Sequence, residues 1–411
     1  MRYLYTLLMK IIWPVLLGLG VRNQKLKQFT EGRKQTLDIL QKKLDPSAPK
    51  VWFHAASLGE FEQGLPVMEA WKLKYPEHQL VVTFFSPSGY EIRKKHPIAS
   101  AVVYLPWDVP NEVKAFLKLV QPTHAFLIKY EFWPNLLYVL QQKKIPTFLI
   151  SGIFRPNQIF FKPYGFWMRK YLGVFTHFFV QNEMSEKLLR QIGLKNITIS
   201  GDTRFDRVAK IFHQNESIPF VETFKNNQPL LVIGSSWEAD EKLWTQFLQE
   251  AETPFKVIIA PHNLKIENIE NLKSSISQKT ILYSQIENAN LAEAKVLIID
   301  AIGFLAKVYK YADVVYVGGG FGNPGVHNVL EPAVFGVPVL IGPNYSHFPE
   351  ASDLVELGGI KSIETVNDLK HWLQLWEEEK ERQKTGKICY DFVLQQIGAT
   401  DKIMNVLESI K

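Results

Sequence analysis

The sequence predicts an α/β protein made of two successive domains, each with a parallel β-sheet covered by helices on both faces. The chain has 411 residues, enough for two domains of ordinary size that each bury a core. From residue 50 onwards, short apolar runs typical of buried strands alternate with amphipathic helical stretches. The polar stretch 207–228 interrupts this alternation, which then resumes. These three observations together predict the fold class.

The first domain is predicted over residues 23–206. Its strands are expected in six apolar runs: VWFHAAS, QLVVTFF, SAVVYLP, HAFLIKY, IPTFLIS and THFFVQN. Helical patterns lie between these runs and are clearest at 111–120 and 134–142. Residues 207–228 end in Asn-Asn-Gln-Pro, which is typical of a linker.

The second domain is predicted over residues 229–389. Its strands are expected in the runs PLLVIGSS, FKVIIAPH, TILYS, AKVLIID, DVVYVGGG and VPVLIG. A last helix at 390–411 is expected to pack back on the first domain. Ligands of open parallel sheets bind beyond the carboxyl ends of the strands, so the residues that follow each strand are the site candidates.

The positive charge of the chain is concentrated at its beginning. The net charge is +6, yet residues 1–44 contain nine Lys or Arg and two acids, which places +7 there. Residues 1–22 include the uncharged run 11–21 and predict a membrane anchor, followed by basic residues that attract anionic lipid on the cytoplasmic side. Lys10 and Pro14 weaken a spanning helix, so spanning the membrane and lying in it both stay open. An ordinary buried first helix is the alternative.

Composition excludes several classes of protein. A hydrophobic fraction of 46% and a charged fraction of 21% exclude a disordered or collagen-like chain. The single cysteine, Cys389, cannot form an internal disulfide or a cysteine-based zinc site, which favours a reducing compartment. The sequence has no Asp-x-Asp pair and no histidine cluster with metal-ligand spacing, so neither a metal nor another cofactor is expected.

Two acids follow strands of the first domain. Glu60 stands where HAASLGE turns from a strand into a helix, and its carboxylate could stabilise the helix start or act as a general base. The residues leave these two interpretations equal. Ser57 lacks the context of a nucleophile elbow, which disfavours hydrolase chemistry. Glu131, if buried, needs a partner such as Lys129 or Arg155, or a ligand.

Residues 154–179 combine basic and aromatic side chains without an acid. Their basic residues are Arg155, Lys162, Arg169 and Lys170. Such a mixture could bind single-stranded nucleic acid or meet phosphorylated lipid head groups. Because the apolar N-terminal segment belongs to the same domain, lipid is favoured and no nucleic-acid partner is expected.

A glycine-rich stretch at 317–332 lies between a strand and a helix. It matches G-x-G-x-x-G, but the following strand ends in Gly-Pro-Asn, without the acid that a dinucleotide ribose needs, which disfavours NAD. Backbone N–H groups at a glycine-rich helix start can bind phosphate, and Glu331 could accept hydrogen bonds from ribose hydroxyls. The candidate contacts here are Gly320, Gly322, His327, Asn328 and Glu331.

Two further strand ends are expected to line the same site. One offers the hydroxyls of Ser235 and Ser236, and the other offers His262 after Pro261. His262 could stack on a base or bind phosphate, although a single loop histidine more often has a purely local role.

The blocks H-A-A-S-L-G-E, K-Y-E-F-W-P-N, S-G-D-T-R-F-D, D-A-I-G-F-L and G-V-H-N-V-L-E-P occur in an order and spacing that resemble one family, the 3-deoxy-D-manno-octulosonic acid (Kdo) transferases of lipid A biosynthesis. The likeness covers almost the whole chain. It implies a GT-B fold, with two Rossmann-like domains facing a central cleft and an N-terminal membrane-associated helix. It also implies a CMP-Kdo donor, a lipid IVA acceptor and metal-independent, inverting transfer at the cytoplasmic face of the inner membrane.

The resemblance also implies site residues. It makes Glu60 the general base. The positions that it assigns to CMP are Pro261, His262, Ile302, Gly303, Phe304, Asn328, Val329, Leu330 and Glu331. Further donor or phosphate contacts are expected from Ser235, Ser236, Gly320, Gly322 and His327. Acceptor contacts are expected from Ser57, Glu131, Arg155, Lys162, Arg169 and Lys170.

The sequence departs from the family pattern at three of these blocks. The usual Pro-Arg-His reads Pro-His-Asn at 261–263, and the usual Met-Gly-Glu reads Ile-Gly-Phe at 302–304. The usual Glu-Thr-Glu reads Lys-Tyr-Glu at 129–131. The first two changes remove an arginine and a carboxylate from the expected donor site, which indicates a divergent branch.

Two other functions are compatible with parts of the sequence. One is a GT-B enzyme that uses another nucleotide sugar, such as a UDP-sugar. The other is a non-catalytic, membrane-associated lipid-binding protein, which would have no use for His327, Asn328 and Glu331 together.

Overall fold

The computed structural model describes residues 1–214, 216–323 and 325–410. Its contacts divide the chain into two compact units. The first unit comprises Met1–Arg207 and Gly398–Lys411, and the second unit comprises Val208–Ile397. Each unit contains one seven-stranded parallel sheet.

The strands are, in chain order, β1 (Lys50–Ala55), β2 (Gln79–Phe84), β3 (Ala101–Tyr104), β4 (His124–Ile128), β5 (Thr147–Gly152), β6 (His177–Val180), β7 (Ile197–Ile199), β8 (Leu230–Ser236), β9 (Lys256–Pro261), β10 (Thr280–Leu282), β11 (Val296–Ile298), β12 (Val314–Val317), β13 (Val339–Ile341) and β14 (Ile360–Ser362).

The α-helices are α1 (Arg2–Gly20), α2 (Gln24–Lys34), α3 (Thr36–Lys43), α4 (Leu58–Lys74), α5 (Pro87–Arg93), α6 (Pro110–Val120), α7 (Pro134–Gln142), α8 (Phe166–Leu172), α9 (Glu183–Gln191), α10 (Thr203–His213), α11 (Pro219–Lys225), α12 (Glu238–Glu250), α13 (Ile266–Ser275), α14 (Leu305–Val308), α15 (Leu330–Ala333), α16 (Pro349–Leu357), α17 (Val366–Leu375), α18 (Glu379–Gln395) and α19 (Ala399–Ser409).

The first sheet has the strand order β3-β2-β1-β4-β5-β6-β7. At its centre, Phe53 of β1 lies opposite Val82 of β2 and Phe126 of β4. Every side chain of β1 is buried because helices cover both faces of the sheet. A strand buried on both faces has a continuous apolar sequence rather than an alternating one, which is why these strands could be recognised.

The second sheet has the strand order β10-β11-β9-β8-β12-β13-β14. Val232 of β8 lies opposite Ile258 of β9 and Val315 of β12. The large side chains of Trp244 and Trp376 are almost completely buried against this sheet. The second unit therefore has an apolar core of its own.

The structure corrects the predicted elements in four places. Each of the twelve predicted strand runs overlaps a strand, but β7 and β14, three-residue strands at the edges of their sheets, were not predicted. The predicted linker 207–228 instead contains the end of α10 and all of α11. The predicted helix 390–411 is two helices, separated at Gly398, whose φ of +109° is left-handed. Residues up to Ile397 belong to the second unit, and α19 packs into the core of the first.

Candidate active site

Near the centre of each sheet lies a point from which the chain proceeds to strands on either side, and such switch points are where open α/β sheets bind ligands. In the first sheet this point lies between β1 and β4, where residues 56–60 and 129–131 follow the strands. In the second sheet it lies between β8 and β12, where Ser236 ends β8 and Gly320 follows β12. Predicted site residues therefore occupy both switch points.

Glu60 lies in the first turn of α4, which begins just after β1. Ser57 caps this helix, and its hydroxyl accepts a hydrogen bond from the Glu60 amide at 3.4 Å. The Glu60 carboxylate accepts a hydrogen bond from the backbone amide of Ala56. Burial and the nearby Glu131 carboxylate raise the pKa of Glu60 to about 6, because both disfavour its negative charge. A carboxylate with this pKa can accept a proton from a substrate near neutral pH.

Glu131 is buried at the neighbouring strand end. Its Oε2 accepts hydrogen bonds from His54 Nε2 at 2.8 Å and from Trp133 Nε1 at 2.6 Å. The other ring nitrogen of His54 lies 2.8 Å from the hydroxyl of Thr83, which fixes the imidazole. The prediction that a buried Glu131 needs a partner is thus met by two ring N–H groups, which differ from the suggested examples Lys129 and Arg155. Glu131 is held rigidly beside Glu60.

The basic and aromatic segment 154–179 contributes mainly to the core of the first unit. Phe154 and Phe160 are buried in that core, so the prediction of an aromatic binding surface is wrong for these rings. Arg169 donates to the carbonyl oxygens of Phe160 at 2.6 Å and Lys162 at 2.7 Å, which gives it a structural role. The cations of the segment that are exposed or half-buried and remain predicted acceptor contacts are Arg155, Lys162 and Lys170.

The glycines that follow β12 bring three strand ends close together. A Cβ at Gly318 would lie 2.4 Å from the carbonyl oxygen of Ser235, and one at Gly320 would lie 2.7 Å from the backbone of Gly342. The amide of Gly322 donates to the carbonyl oxygen of Gly319 at 2.9 Å. Packing alone therefore requires glycine at 318 and 320, which weakens their interpretation as a cradle for phosphate.

The helix after this turn is shorter than the sequence suggested. α15 has four residues, so its dipole is far weaker than that of a full helix, and the predicted phosphate site at a helix N-terminus is corrected accordingly. Asn328 Nδ2 donates to Glu331 Oε1 at 3.1 Å, and Asn328 Oδ1 accepts from the Leu330 amide at 3.2 Å. The predicted crowding of Asn328 and Glu331 is thus confirmed as a direct contact.

Asp240 organises this site but was not among the predicted site residues. Its side chain is completely buried in the first turn of α12. One carboxylate oxygen accepts from the amides of Trp237 at 2.8 Å and Gly319 at 2.9 Å, and the other accepts from the Tyr316 hydroxyl at 2.5 Å. Asp240 therefore joins the loop after β8 to the loop after β12. An acid at a helix start was the available signal, but such acids usually serve only as caps.

Three aromatic rings stack beside Asp240. The Trp237 and His262 rings have centroids 4.3 Å apart and an interplanar angle of 14°, and His262 and His327 stack at 4.8 Å and 27°. Trp237 Nε1 donates to His327 Nε2 at 2.8 Å, so the proton of a neutral His327 lies on Nδ1. Burial lowers the pKa of both histidines, and the proximity of His262 lowers that of His327 further. Trp237 was not among the predicted site residues.

The remaining predicted donor residues occupy several positions in the second unit. Ser236 is buried and donates to Glu241 at 2.9 Å, while Ser235 has a φ of +53°, a strained conformation for a residue other than glycine. Pro261 ends β9, and Val329 and Leu330 are buried. Ile302 and Gly303 follow β11, two strands away from β8, and are exposed, whereas Phe304 packs against Tyr283.

A cavity of about 530 Å³ adjoins this site. Its lining includes Ser236, Trp237 and Pro261 together with residues of α12 and α13. Within the described residues, no group of three His, Cys, Asp or Glu side chains is arranged to hold a metal ion.

Residues 24–207 match the family model described as 3-deoxy-D-manno-octulosonic-acid transferase (Kdo transferase). The chain is 28% identical to the 3-deoxy-D-manno-octulosonic acid transferase of Chlamydophila psittaci, covering 82% of this chain and 79% of the relative. It is 24% identical to the 3-deoxy-D-manno-octulosonic acid transferase of Haemophilus influenzae, and this match covers 99% of this chain and 98% of the relative.

Among solved structures, UDP-GlcNAc 2-epimerase from Neisseria meningitidis, bound to UDP-GlcNAc, matches with a TM-score of 0.59 and 15% identity. The match covers 88% of this chain and all of the epimerase chain. This likeness concerns the fold alone. With the two parallel sheets it confirms the predicted GT-B class of two Rossmann-like domains.

Proposed function

We infer that this chain is a glycosyltransferase that transfers Kdo, a function supported by its confirmed resemblance to the Kdo transferase family. We propose more specifically that this chain is an inverting enzyme that moves Kdo from CMP-Kdo to lipid IVA. The observation that carries the proposal is Glu60, a half-buried carboxylate at a topological switch point whose pKa is raised to about 6. It lies within the segment that matches the family model.

The proposed reaction is a direct displacement at the anomeric carbon of Kdo. A sugar hydroxyl of the acceptor attacks this carbon while the Glu60 carboxylate takes the hydroxyl proton. The bond between the anomeric carbon and the phosphate oxygen of CMP breaks, and CMP leaves with the electron pair. The carboxylate of Glu131 raises the proton affinity of Glu60 by electrostatic repulsion, and the hydrogen bonds that Glu131 accepts from His54 and Trp133 hold it in place.

The second unit is proposed to bind the CMP part of the donor. His327, whose Nε2 accepts from Trp237, presents its Nδ1 proton to an anionic ligand such as the phosphate. Glu331, positioned by Asn328, is proposed to accept hydrogen bonds from the ribose hydroxyls. His262 stands where the family usually has arginine, so its ring supplies stacking and a neutral hydrogen bond instead of a positive charge.

The acceptor is proposed to arrive from the cytoplasmic face of the inner membrane. α1 is long and apolar enough to associate with a bilayer, and the basic residues of 22–43 follow it. Arg155, Lys162 and Lys170 are proposed to meet the acceptor phosphates. The single proposed catalytic residue is Glu60.

The proposal is tested by incubating the full-length protein with a CMP-Kdo generating system and lipid IVA, with products measured by mass spectrometry. Glu60→Gln should lower the rate roughly 100- to 10,000-fold, the usual contribution of a general base, and leave CMP binding intact. The control is Glu77→Gln, a mostly exposed carboxylate in the same unit, which should keep full activity. Substantial turnover by Glu60→Gln would refute its assignment as the base.

The two rival functions are separated by ligand binding. Thermal stabilisation by CMP but not by UDP supports the CMP-Kdo donor, whereas stabilisation by UDP alone would support another nucleotide sugar. A wild-type protein that binds lipid IVA but forms no Kdo product and binds neither nucleotide would be a lipid-binding protein without catalysis.

A further inference from the structure

Helix α1 has two different faces. One face exposes large apolar side chains to solvent: Leu4, Leu7, Leu8, Ile11, Val15 and Leu19. At 100° per residue these positions fall within a stripe about 120° wide. A soluble surface rarely leaves such a continuous apolar stripe uncovered, which indicates that something apolar covers it.

The opposite face of α1 is bound to the first unit by hydrogen bonds. Thr6 Oγ1 donates to Asn135 Oδ1 at 3.0 Å, and Trp107 Nε1 donates to the carbonyl oxygen of Met9 at 2.8 Å. The rings of Trp13 and Trp107 also contact each other, with centroids 5.1 Å apart. These contacts extend over two turns of the helix.

The beginning of α1 is attached by charged groups. The Tyr5 hydroxyl hydrogen-bonds to Asp108, a buried carboxylate that also accepts two backbone amides at the start of α7. Burial raises the pKa of Asp108 to about 6. The guanidinium of Arg2 lies 3.4 Å from the ring centroid of Tyr138 on α7. From Arg2 to Trp13, therefore, α1 follows the surface of the folded unit.

These attachments are incompatible with a helix that crosses the bilayer. Its 19 residues would extend about 29 Å, which is close to the thickness of the hydrocarbon layer. A spanning α1 would carry the segment from Arg2 to Trp13 into that layer. Asp108, Asn135 and the start of α7 would have to enter with it, at a large cost for a carboxylate and its hydrogen-bonding groups.

We propose that α1 lies parallel to the membrane surface as an in-plane anchor, with its apolar stripe in the lipid and its other face on the first unit. This inference rests on the proposed membrane location of the enzyme and adds the orientation. Asp108 follows β3 and Asn135 opens α7 after β4. Both lie at the carboxyl edge of the first sheet, the edge that also carries Glu60. The in-plane anchor therefore places the edge with Glu60 towards the lipid.

The charges around α1 fit an anionic bilayer surface. Lys10, Arg22, Lys25 and Lys27 are exposed. A cavity of about 430 Å³ next to α1 has a lining that includes Lys10, Trp13, Arg33, Lys34, Trp107 and the acid Glu112. Three cations against one acid, with two indole rings, are typical of the depth at which lipid head groups lie.

Cysteine labelling in membranes tests the orientation. Cys389→Ser removes the single cysteine, and Lys10→Cys, Tyr3→Cys or Leu73→Cys then adds one exposed site to the full-length chain. Each is treated with a membrane-impermeant maleimide in spheroplasts and in inside-out vesicles. Leu73, which is 87% exposed on α4, is the control for the cytoplasmic side.

An in-plane α1 predicts that Lys10→Cys reacts in inside-out vesicles within a fewfold of the rate of Leu73→Cys, and that neither reacts in spheroplasts. Two labelling results would overturn the proposal: protection of Lys10→Cys until detergent is added, or labelling of Tyr3→Cys from outside. Recovery of the protein in the soluble fraction would also overturn it. Kdo transfer measured on the same membranes reports the proposed function separately, since a spanning helix with full transfer activity refutes the orientation alone.

Discussion

Asp240 is expected to determine how rigidly the proposed donor site is held. Asp240→Ala removes a carboxylate that accepts two backbone amides, from Trp237 at 2.8 Å and Gly319 at 2.9 Å, and the Tyr316 hydroxyl at 2.5 Å. A hydrogen bond to a charged group contributes about 1.5 kcal/mol or more. Loss of the two backbone bonds alone should therefore lower the free energy of local opening by about 3 kcal/mol, which corresponds to roughly 150-fold faster amide exchange.

Asp240→Asn provides the matched comparison. The amide oxygen of asparagine can still accept the two backbone N–H groups, and its NH₂ can donate to the Tyr316 oxygen once that hydroxyl turns away. Only the strengthening by charge is lost, so the expected cost is about 1 kcal/mol, or roughly fivefold in exchange. In the double variant with Tyr316→Phe, the NH₂ of the asparagine loses its hydrogen-bond partner, and the free-energy cost of the substitution should rise.

The assay is hydrogen–deuterium exchange by mass spectrometry on peptides that contain residues 237 and 319, together with the apparent KM for the donor. We expect Asp240→Ala to accelerate exchange in both peptides and to raise this KM. If Asp240→Ala and Asp240→Asn behaved alike, or if exchange changed in neither peptide, the role assigned to Asp240 would be refuted.

Three further predictions concern other parts of the chain. The transfer rate should rise with pH through about 6 and then level off, because the raised pKa of Glu60 leaves the proposed base protonated and inactive below that value. A pH–rate profile that is flat from 5 to 8 would contradict this expectation. Gly320→Ala should lower the melting temperature by several degrees, because the added Cβ would lie 2.7 Å from the backbone of Gly342. Gly59→Ala is the control, since its Cβ would have no neighbouring atom within 4 Å, and it should leave the melting temperature unchanged or slightly raised. Equal melting temperatures of the two variants would show that the close contact at residue 320 is relieved. Ile11→Glu should weaken binding to phosphatidylglycerol vesicles roughly tenfold or more, since burying a side chain of this size in lipid contributes about 1.5–3 kcal/mol to the binding free energy. Leu73→Glu, the control, should bind like the wild type. The same loss of binding in both variants would place the lipid contact elsewhere.

Much of the fold could be predicted because the strands are buried on both faces. Their continuous apolar runs identified twelve strands. Because ligands of parallel sheets bind beyond the carboxyl ends of the strands, the residues that follow these runs became the site candidates. The three-residue edge strands β7 and β14 gave no such signal, because one side of each has no neighbouring strand and their sequences are partly polar. The break at Gly398 was also missed, since helical patterns continue on both sides of it.

The site was predictable where one segment carries the chemistry, and less so where several segments meet. Glu60 could be proposed as a base because its own turn and the family resemblance indicate it, but its pKa depends on burial and on Glu131 from another strand end. His54 and Glu131 are 77 positions apart and meet because β1 pairs with β4. The stack of Trp237, His262 and His327 likewise draws one ring from each of three loops.

The one-sided attachment of α1 has a consequence for how the reaction would be measured. An enzyme that rests on a bilayer meets a lipid acceptor by diffusion in two dimensions, so the quantity that governs saturation is the mole fraction of acceptor in the surface, not its molar concentration in the tube. Adding inert phospholipid at a constant total amount of acceptor would then dilute the acceptor in the surface and slow the reaction. In the proposed arrangement, the depth at which α1 lies would determine how far a sugar hydroxyl must rise from the head-group layer to reach Glu60.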